Sequence, residues 1–366
     1  MTIARVRCLL AACLLLCSAG AAAAKDYAVE TVLTGLARPW SLSFLPDGAM
    51  LITGHEGALW IVRGGKPPAP IRGLPPVEFA GQGGFFEALP HPGFAGNRLI
   101  YLSYAHKGPD GNTLRVARAT LGSDALSGLT VLFESKPGRG TSVHYGGRMA
   151  WLPDGTLLVT GGDGFNYREQ AQKLGNHYGK IVRIRDDGTV PADNPFTGRK
   201  DALPEIWSYG HRNVQGIVHD PASGRVYAHE HGPRGGDELN VIEKGANYGW
   251  PLATRGVDYS GAYITPFKTY EGTKDAIVDW TPSIAPCGMT LYRGAAFPQW
   301  DGDLFVGALA GRSVHRIDME DGKVVGQDVM LEDMGERIRD IRTGPDGLLY
   351  VLTDGEGGKL LRIRPD

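Results

Sequence analysis

Histidine, arginine, aspartate and amide side chains stand beside glycine-rich bends in five short segments of this 366-residue chain. GQGGFFEALP carries Gln82, HYGGRMAWLPDG carries His144 and Arg148, and TGGDG carries Asp163. GHRN carries His211, Arg212 and Asn213, while RIRDIRTGPDG carries Arg337, Arg339, Asp340 and Arg342. Arginines converging from separate segments suit a ligand with several carboxylates or phosphates, because the planar guanidinium pairs with such anions in two places. A histidine in the same pocket is available as a general base near neutral pH. A sixth segment, EHGPRGGDELNVIEKGANYGWP (230–251), sets acids among glycines. Calcium prefers oxygen ligands on such a flexible loop, with Glu238, Asp237 and bent backbone carbonyls as donors, although the spacing matches no EF-hand. Zinc is disfavoured, since His231 has no Cys or His partner at ligand spacing.

Each of these residues also has a purely structural reading. Arg337 and Arg339 read equally as solvated strand charges, His144 as a turn histidine, Asp163 as a turn-former, and Glu230 to Glu238 as a surface loop. Their shared position relative to an internal repeat favours the functional reading.

That repeat must position them. LPDGAMLITG (45–54), LPDGTLLVTG (152–161) and GPDGLLYVLTD (344–354) are copies of one phrase, with weaker copies in HPGFAGNRLIYLSY, HDPASGRVYAHE and PQWDGDLFVGA. Each sets an Asp-Gly-type turn between two β-rich runs, a hairpin signal. A second pair of short strands follows most copies, as in GALWIVRGGK and GKIVRIRDDGTV. Six such units predict an all-β chain, a six-bladed β-propeller of four-stranded antiparallel blades. With 53 Gly and 24 Pro, and no window reading as a long amphipathic helix, the composition agrees. YAVETVL, near residue 27, has strand character and no blade of its own, so it is expected to close the ring with the last blade. The first strand of a blade lines the channel, and all the segments except that of Asp163 fall just before or within a first strand. Their side chains are expected at one end of the axis. Net charge is −2 and the pI about 6.6, so nothing suggests an electrostatic hold on nucleic acid.

Residues 1–24 read as a signal peptide, with Arg5 and Arg7 before an apolar run and then small residues, and 25–366 as a single propeller domain. The apolar run is too short to span a bilayer, and a periplasmic or secreted location follows. A lipoprotein reading at Cys17 meets a poor match in Leu16. Cys287 is then the one cysteine of the mature chain, which leaves no internal disulfide, and a buried structural thiol is expected there.

HYGGRMAWLPDGTLLVTGGDG, WSYGHRNVQGI, EHGPRGGDELN, NYGWP, SIAPCGM and RIRDIRTGPDGLLYVLTD together resemble the soluble aldose sugar dehydrogenases that depend on pyrroloquinoline quinone (PQQ), within the glucose and sorbosone dehydrogenase family. The similarity runs in order from about Tyr27 to the C-terminus. It implies oxidation of the C1 hydroxyl of an aldose to a lactone, with PQQ as first electron acceptor and a further acceptor unidentified. It implies that His144 takes the hydroxyl proton, that Asp163 orients that histidine or the sugar, and that Arg212 steadies developing charge beside the quinone oxygens. Gln82, Asn213, Arg337 and Arg339 are implied to bind the cofactor, as is the segment GALAGRSV with Ala308, Ala310 and Arg312. Relatives often carry lysine where Ala310 stands. The carbonyls of Gly232 and Pro233 are implied to face one calcium ion, Glu238 and the backbone at Tyr248 a second, and Tyr259 the sugar. Two other functions stand beside this one: a non-enzymatic binding propeller, and a calcium-dependent lactonase, which needs acidic and Asn ligands around the axis.

Overall fold

A computed structural model describes residues 26–366; the leader expected at 1–24 lies outside the described residues. Six four-stranded antiparallel sheets follow one another around an axis. Their innermost strands are Pro39–Phe44, Phe85–Pro90, Gly146–Trp151, Val214–His219, Pro286–Leu291 and Ile338–Thr343. In the sixth blade the outermost strand is Tyr27–Leu36, paired antiparallel with the last strand, Gly358–Pro365, from Tyr27 opposite Pro365 to Leu36 opposite Gly358. The chain therefore closes its own ring with the strand at its N-terminal end, as expected.

The repeated Asp-Gly turns form for a local reason. Asp47, Asp154 and Asp346 each accept a hydrogen bond from the backbone N–H two residues on, at 3.0–3.2 Å. The glycine after each aspartate takes a φ of 75–78°, where a Cβ is disfavoured. The apolar residues then pack between blades. Leu51, Leu59 and Ile61 of blade one meet Phe85, Ile100 and Leu102 of blade two, and five analogous clusters complete the circle.

With the apolar cores between blades, the axis is left to polar groups. Arg148 is 1% exposed and lies between Asp340, at 3.2 Å, and Glu87, at 3.9 Å. Its guanidinium is 4.0 Å from the centre of the Trp40 ring and donates to the carbonyls of Gln215 and Arg339. Arg342 ties the same two acids, at 2.5 Å to Glu87 and 3.1 Å to Asp340. Arg148 and Arg342, grouped by sequence with the ligand-binding arginines, are thus consumed in an axial plug.

Every innermost strand carries a register shift near its start. One extra residue stands there: Trp40, Phe86, Gln215, Gly288 and Arg339 in five blades, and one residue of Gly147–Arg148 in blade three. A bulge re-aims a side chain, and Trp40, Phe86, Gln215 and Arg339 all line the cavity at the top of the channel. Gly288 is the one bare position. Its φ is 65°, and a Cβ there would overlap the Asp340 carboxylate.

Replacing Arg148 by methionine leaves Glu87 and Asp340 buried with one cation between them. The expected loss is about 3–5 kcal/mol of unfolding free energy, read from denaturant midpoints at constant m. A loss under about 1 kcal/mol would show that the acids find other partners.

Candidate active site

A cavity of about 440 Å³ opens above the plug. Arg337 and Arg339 approach it from blade six and share one acid, Asp354, at 3.0 and 2.7 Å. Arg38 also lines it and reaches Glu56 and Glu356 at the rim. His55 adds no charge near neutrality, since burial and the neighbouring Arg339 push it down to about 4. Trp40, Phe86, Tyr145 and Leu309 supply apolar walls, and Gln82 and Asn213 supply amides. Three guanidinium groups against one lining carboxylate suit a flat ligand that carries several negative charges.

His144 stands beside this cavity in a left-handed conformation, φ 55°. Three contacts hold it there. Its N–H donates to Gln82 Oε1 at 2.8 Å, its carbonyl accepts from Arg139 at 2.7 Å, and Nδ1 meets Asp163 Oδ1 at 2.7 Å. Gly162 is required beneath, because a Cβ would collide with the His144 carbonyl. Asp163 is fully buried and also accepts from the Phe165 N–H and from the Trp250 indole, both at 2.8 Å. Burial lowers the His144 pKa and Asp163 partly offsets it. For Asp163, burial works upward, and the His144 hydrogen bond and charge hold the carboxyl below its ordinary value. The pair is a neutral imidazole on an ionised acid, with Nε2 left for a reactant.

A second cavity, of about 260 Å³, is lined by Phe165, Trp250, Tyr259, Arg212, Pro233 and Asp258 among others. Phe165 packs edge-on against His144 at 5.4 Å and stacks on Tyr259 at 6.2 Å. Arg212 donates to the Gly232 carbonyl at 2.6 Å and lies 5.4 Å from the Trp250 ring centre. Aromatic faces bordered by charged hydrogen-bonding groups suit a polyol.

Below Arg212, Glu230 and Glu238 face a void of about 10 Å³, room for roughly one small ion or water. Tyr248 and Gly232 border it. Asn240 Nδ2 lies 3.2 Å from Glu238 and 3.5 Å from Glu230, while its Oδ1 is buried without a partner. Two acids about a void of that size fit a hard cation. The Gly232 carbonyl is a different matter, because Arg212 already donates to it. A cation facing Gly232 and Pro233 would share the Gly232 oxygen with that guanidinium.

Of the residues singled out by sequence, Gln82, Asn213, Arg337 and Arg339 line the upper cavity, and His144 and Asp163 form the dyad. Arg212 and Tyr259 line the second cavity, with Pro233, while Glu238, Tyr248 and Gly232 border the acid void. Ala308, Ala310 and Arg312 are not brought to any of these. Ala308 pairs within blade five, the Ala310 N–H bonds Ile284, and Arg312 reaches the Gly335 carbonyl; Leu309 is the blade-five lining residue. Asp237 is no cation ligand here. Its oxygens accept from Gly232, Ser283, Ile284 and Ala285. Cys287 is buried, as expected. Sequence reasoning missed Asp354, Trp250 and the role of Glu230. Asp354 left a signal, since it ends the third clear repeat where the other two end in glycine.

The sequence profile of the family described as Glucose / Sorbosone dehydrogenase matches residues 36–362. The chain belongs to that family. It is 44% identical over 344 residues to aldose sugar dehydrogenase YliI of Escherichia coli K12, with 92% of each chain covered. It superposes on the crystal structure of the soluble aldose sugar dehydrogenase from Escherichia coli in the apo-form with a TM-score of 0.90 at 41% identity, covering 93% of this chain and 100% of that one. The PQQ-bound form of an aldose sugar dehydrogenase from Streptomyces coelicolor gives 0.77 at 26% identity, covering 93% and 98%.

The acid void generates a pH prediction. Burial, with the charge of Glu230 next, raises the Glu238 carboxyl from 4.5 to about 8. In metal-free protein the unfolded chain releases that proton first, so the stability this group contributes falls as pH rises from about 4.5 to about 8. Buried histidines such as His55 push the other way below pH 6.5, so the reading is a difference. In EDTA, denaturant midpoints of the wild type are expected to fall with rising pH relative to those of Glu238→Gln. An unchanged slope in the variant would remove Glu238 as its source.

Proposed function

We propose that this family member oxidises the C1 hydroxyl of aldose sugars to lactones with PQQ as electron acceptor. One observation carries the reading: the His144–Asp163 dyad adjoins both an arginine-lined cavity, which the next residue Tyr145 lines, and an aromatic cavity lined by Phe165, which packs on His144. The aldose sugar dehydrogenases among its relatives support the substrate class. The PQQ-bound neighbour supports the cofactor.

PQQ, when bound, supplies the two-electron acceptor for the hydrogen that leaves C1. Arg337, Arg339 and Arg38 hold its carboxylates, with Gln82 and Asn213 as amide partners. His144 Nε2 takes the C1 hydroxyl proton. Asp163 fixes Nδ1 as the protonated nitrogen and stabilises the imidazolium that forms. Arg212 offers its guanidinium to developing negative charge, and Tyr259 with Phe165 supports the sugar ring. Calcium is assigned to the Glu230–Glu238 void, where it steadies the loop that carries Gly232. The lactonase alternative is disfavoured by the axis, where Arg148 is bonded among the acids such a site needs free. Export to the periplasm, or secretion, is supported by the leader sequence of residues 1–24.

The test is reconstitution. Mature apoprotein given PQQ and calcium is expected to reduce a dye with aldoses, and an EDTA-treated sample lacking both should not. Absence of both turnover and spectral binding of PQQ would favour the binding-propeller alternative. His144→Ala should keep PQQ binding and lose two or more orders of magnitude in kcat, whereas Arg337→Ala should mainly weaken PQQ affinity.

The pH profile follows from the dyad. Burial holds the His144 pKa below 6.5, so the base form persists into mildly acidic solution. The acid limb of kcat/KM is expected to have its midpoint below 6.5. Asp163→Asn removes the charge that opposes this depression, so the limb should move lower still while kcat falls. A limb that stays in place would detach it from His144.

A further inference from the structure

A cavity of about 950 Å³, larger than the axial one, lies outside the channel. It is formed by the segment 167–178, the bend at Pro137–Gly138, and Arg199, Asp201 and Tyr209. The short run from Phe165 to Lys173 divides it from the aromatic cavity. Phe165, Asn166, Arg168 and Glu169 face the latter, whereas Tyr167, Gln170, Gln172 and Lys173 face the former.

Its chemistry differs from that of the arginine-lined cavity. Tyr167 and Tyr178 stack in parallel, 4.8 Å apart and 6° from coplanar, and Tyr209 adds a third ring. Gln170 and Asn176 bring amides, while that of Gln172 is spent on its neighbours. The guanidinium of Arg199 is matched by Asp201 in two hydrogen bonds, 3.1 and 2.6 Å, which leaves Lys173 as the one unmatched charge. That arrangement does not recruit a polyanion. Flat aromatic faces take the C–H face of a sugar ring, and amides with a paired Arg–Asp take hydroxyl groups in both donor and acceptor senses. The volume is more than twice that of the axial cavity and holds more than one ring.

The wall is already fixed without an occupant. The buried ammonium of Lys180 donates to the carbonyls of Gln170, Ala171 and Tyr178 at 3.1, 2.9 and 2.5 Å. Tyr167 OH accepts from the Gly140 N–H, and Tyr178 OH donates to the Gly138 carbonyl. A preformed wall spares a ligand the cost of ordering it. Gln172 also exchanges hydrogen bonds with Asn247 and donates to the Trp250 carbonyl at 2.7 Å, so this wall abuts the residue whose indole holds Asp163.

We propose that this cavity is a second, non-catalytic carbohydrate site that binds a neutral oligosaccharide of two or more rings beside the dyad. It does not rest on the cofactor reading, and the probes can be chosen to keep the two apart. Raffinose, stachyose and the methyl glycosides of maltotriose and cellotriose have no free C1 hydroxyl to oxidise. Titrated calorimetrically into the full mature chain without PQQ, at least one is expected to bind with a Kd near or below about 1 mM, −4 kcal/mol. Tyr167→Ala should weaken that binding at least fivefold. Asp201→Ala, a change at an exposed residue remote from the dyad, should weaken it measurably and leave kcat/KM for monosaccharide oxidation unchanged. Arg212→Ala should leave it intact. Binding by none of the probes, binding insensitive to both Tyr167→Ala and Asp201→Ala, or binding lost with Arg212→Ala would each overturn the proposal.

Discussion

Arg148 is the constraint on which the rest depends. Six blades packed face to face bury their apolar surface between one another, so the axis receives the polar edges of six strands. Charge placed there is dehydrated and must be matched. Arg148 meets that demand across blades: it approaches Glu87 and Asp340, lies on Trp40, and bonds the backbone at Gln215 and Arg339. Those contacts come from blades one, two, four and six. The plug thereby sets the relative position of the strands whose next residues line the cavity, and the floor of the site is the same object as the centre of the fold.

From that floor the bulges do the aiming. A regular strand would alternate its side chains between the two faces of the blade. One extra residue near the start of each innermost strand turns a side chain toward the channel instead, which is how Trp40, Phe86, Gln215 and Arg339 come to border one cavity. The dyad is positioned differently. His144 and Asp163 stand on the loops just outside the strands of blade three, and their geometry comes from neighbours: Gln82 of blade two, Arg139 behind, and Trp250 from blade four's long insertion. Rigid strands thus set the arginine-lined cavity, and interlocked loops set the His144–Asp163 pair.

Much of this was legible in the sequence, for reasons that differ by element. The Asp-Gly turn repeats because an aspartate cap and a positive-φ glycine solve one local problem in three blades, with looser versions in the others, so blade number and ring closure could be read. His144, Gln82 and Arg337 could be placed near the channel because their segments hold a fixed place in the blade, whereas Asp163 stands out through the family resemblance. The bulges could not. They depend on the register between strands, and nothing in PWSLSF or FFEALP marks the residue to be extruded. For the same reason Arg148 and Arg339, both arginines of innermost strands, could not be told apart, although one is locked in the plug and the other borders the cavity. Asp237 and Glu238 posed the same problem side by side: alternate strand residues face opposite ways, so Asp237 ties the 283–285 turn while Glu238 faces Glu230.

Arg212 links these parts. Its N–H donates to Glu230, its carbonyl accepts the Asp163 N–H at 2.8 Å, and its guanidinium holds the Gly232 carbonyl. One residue therefore touches the acid void, the dyad and the aromatic cavity at once. Glu230 is divided likewise, with one oxygen on His211 and the other on Arg212. Any change of charge between Glu230 and Glu238 alters the acceptor that fixes the Arg212 backbone, and through that backbone the peptide that fixes Asp163. The acid void and the His144–Asp163 pair are then separated by two hydrogen bonds and a single residue. The glycines around 232–236 serve this closeness, because the loop must fold tightly enough to bring Gly232 within reach of the guanidinium while Asp237 anchors its far end.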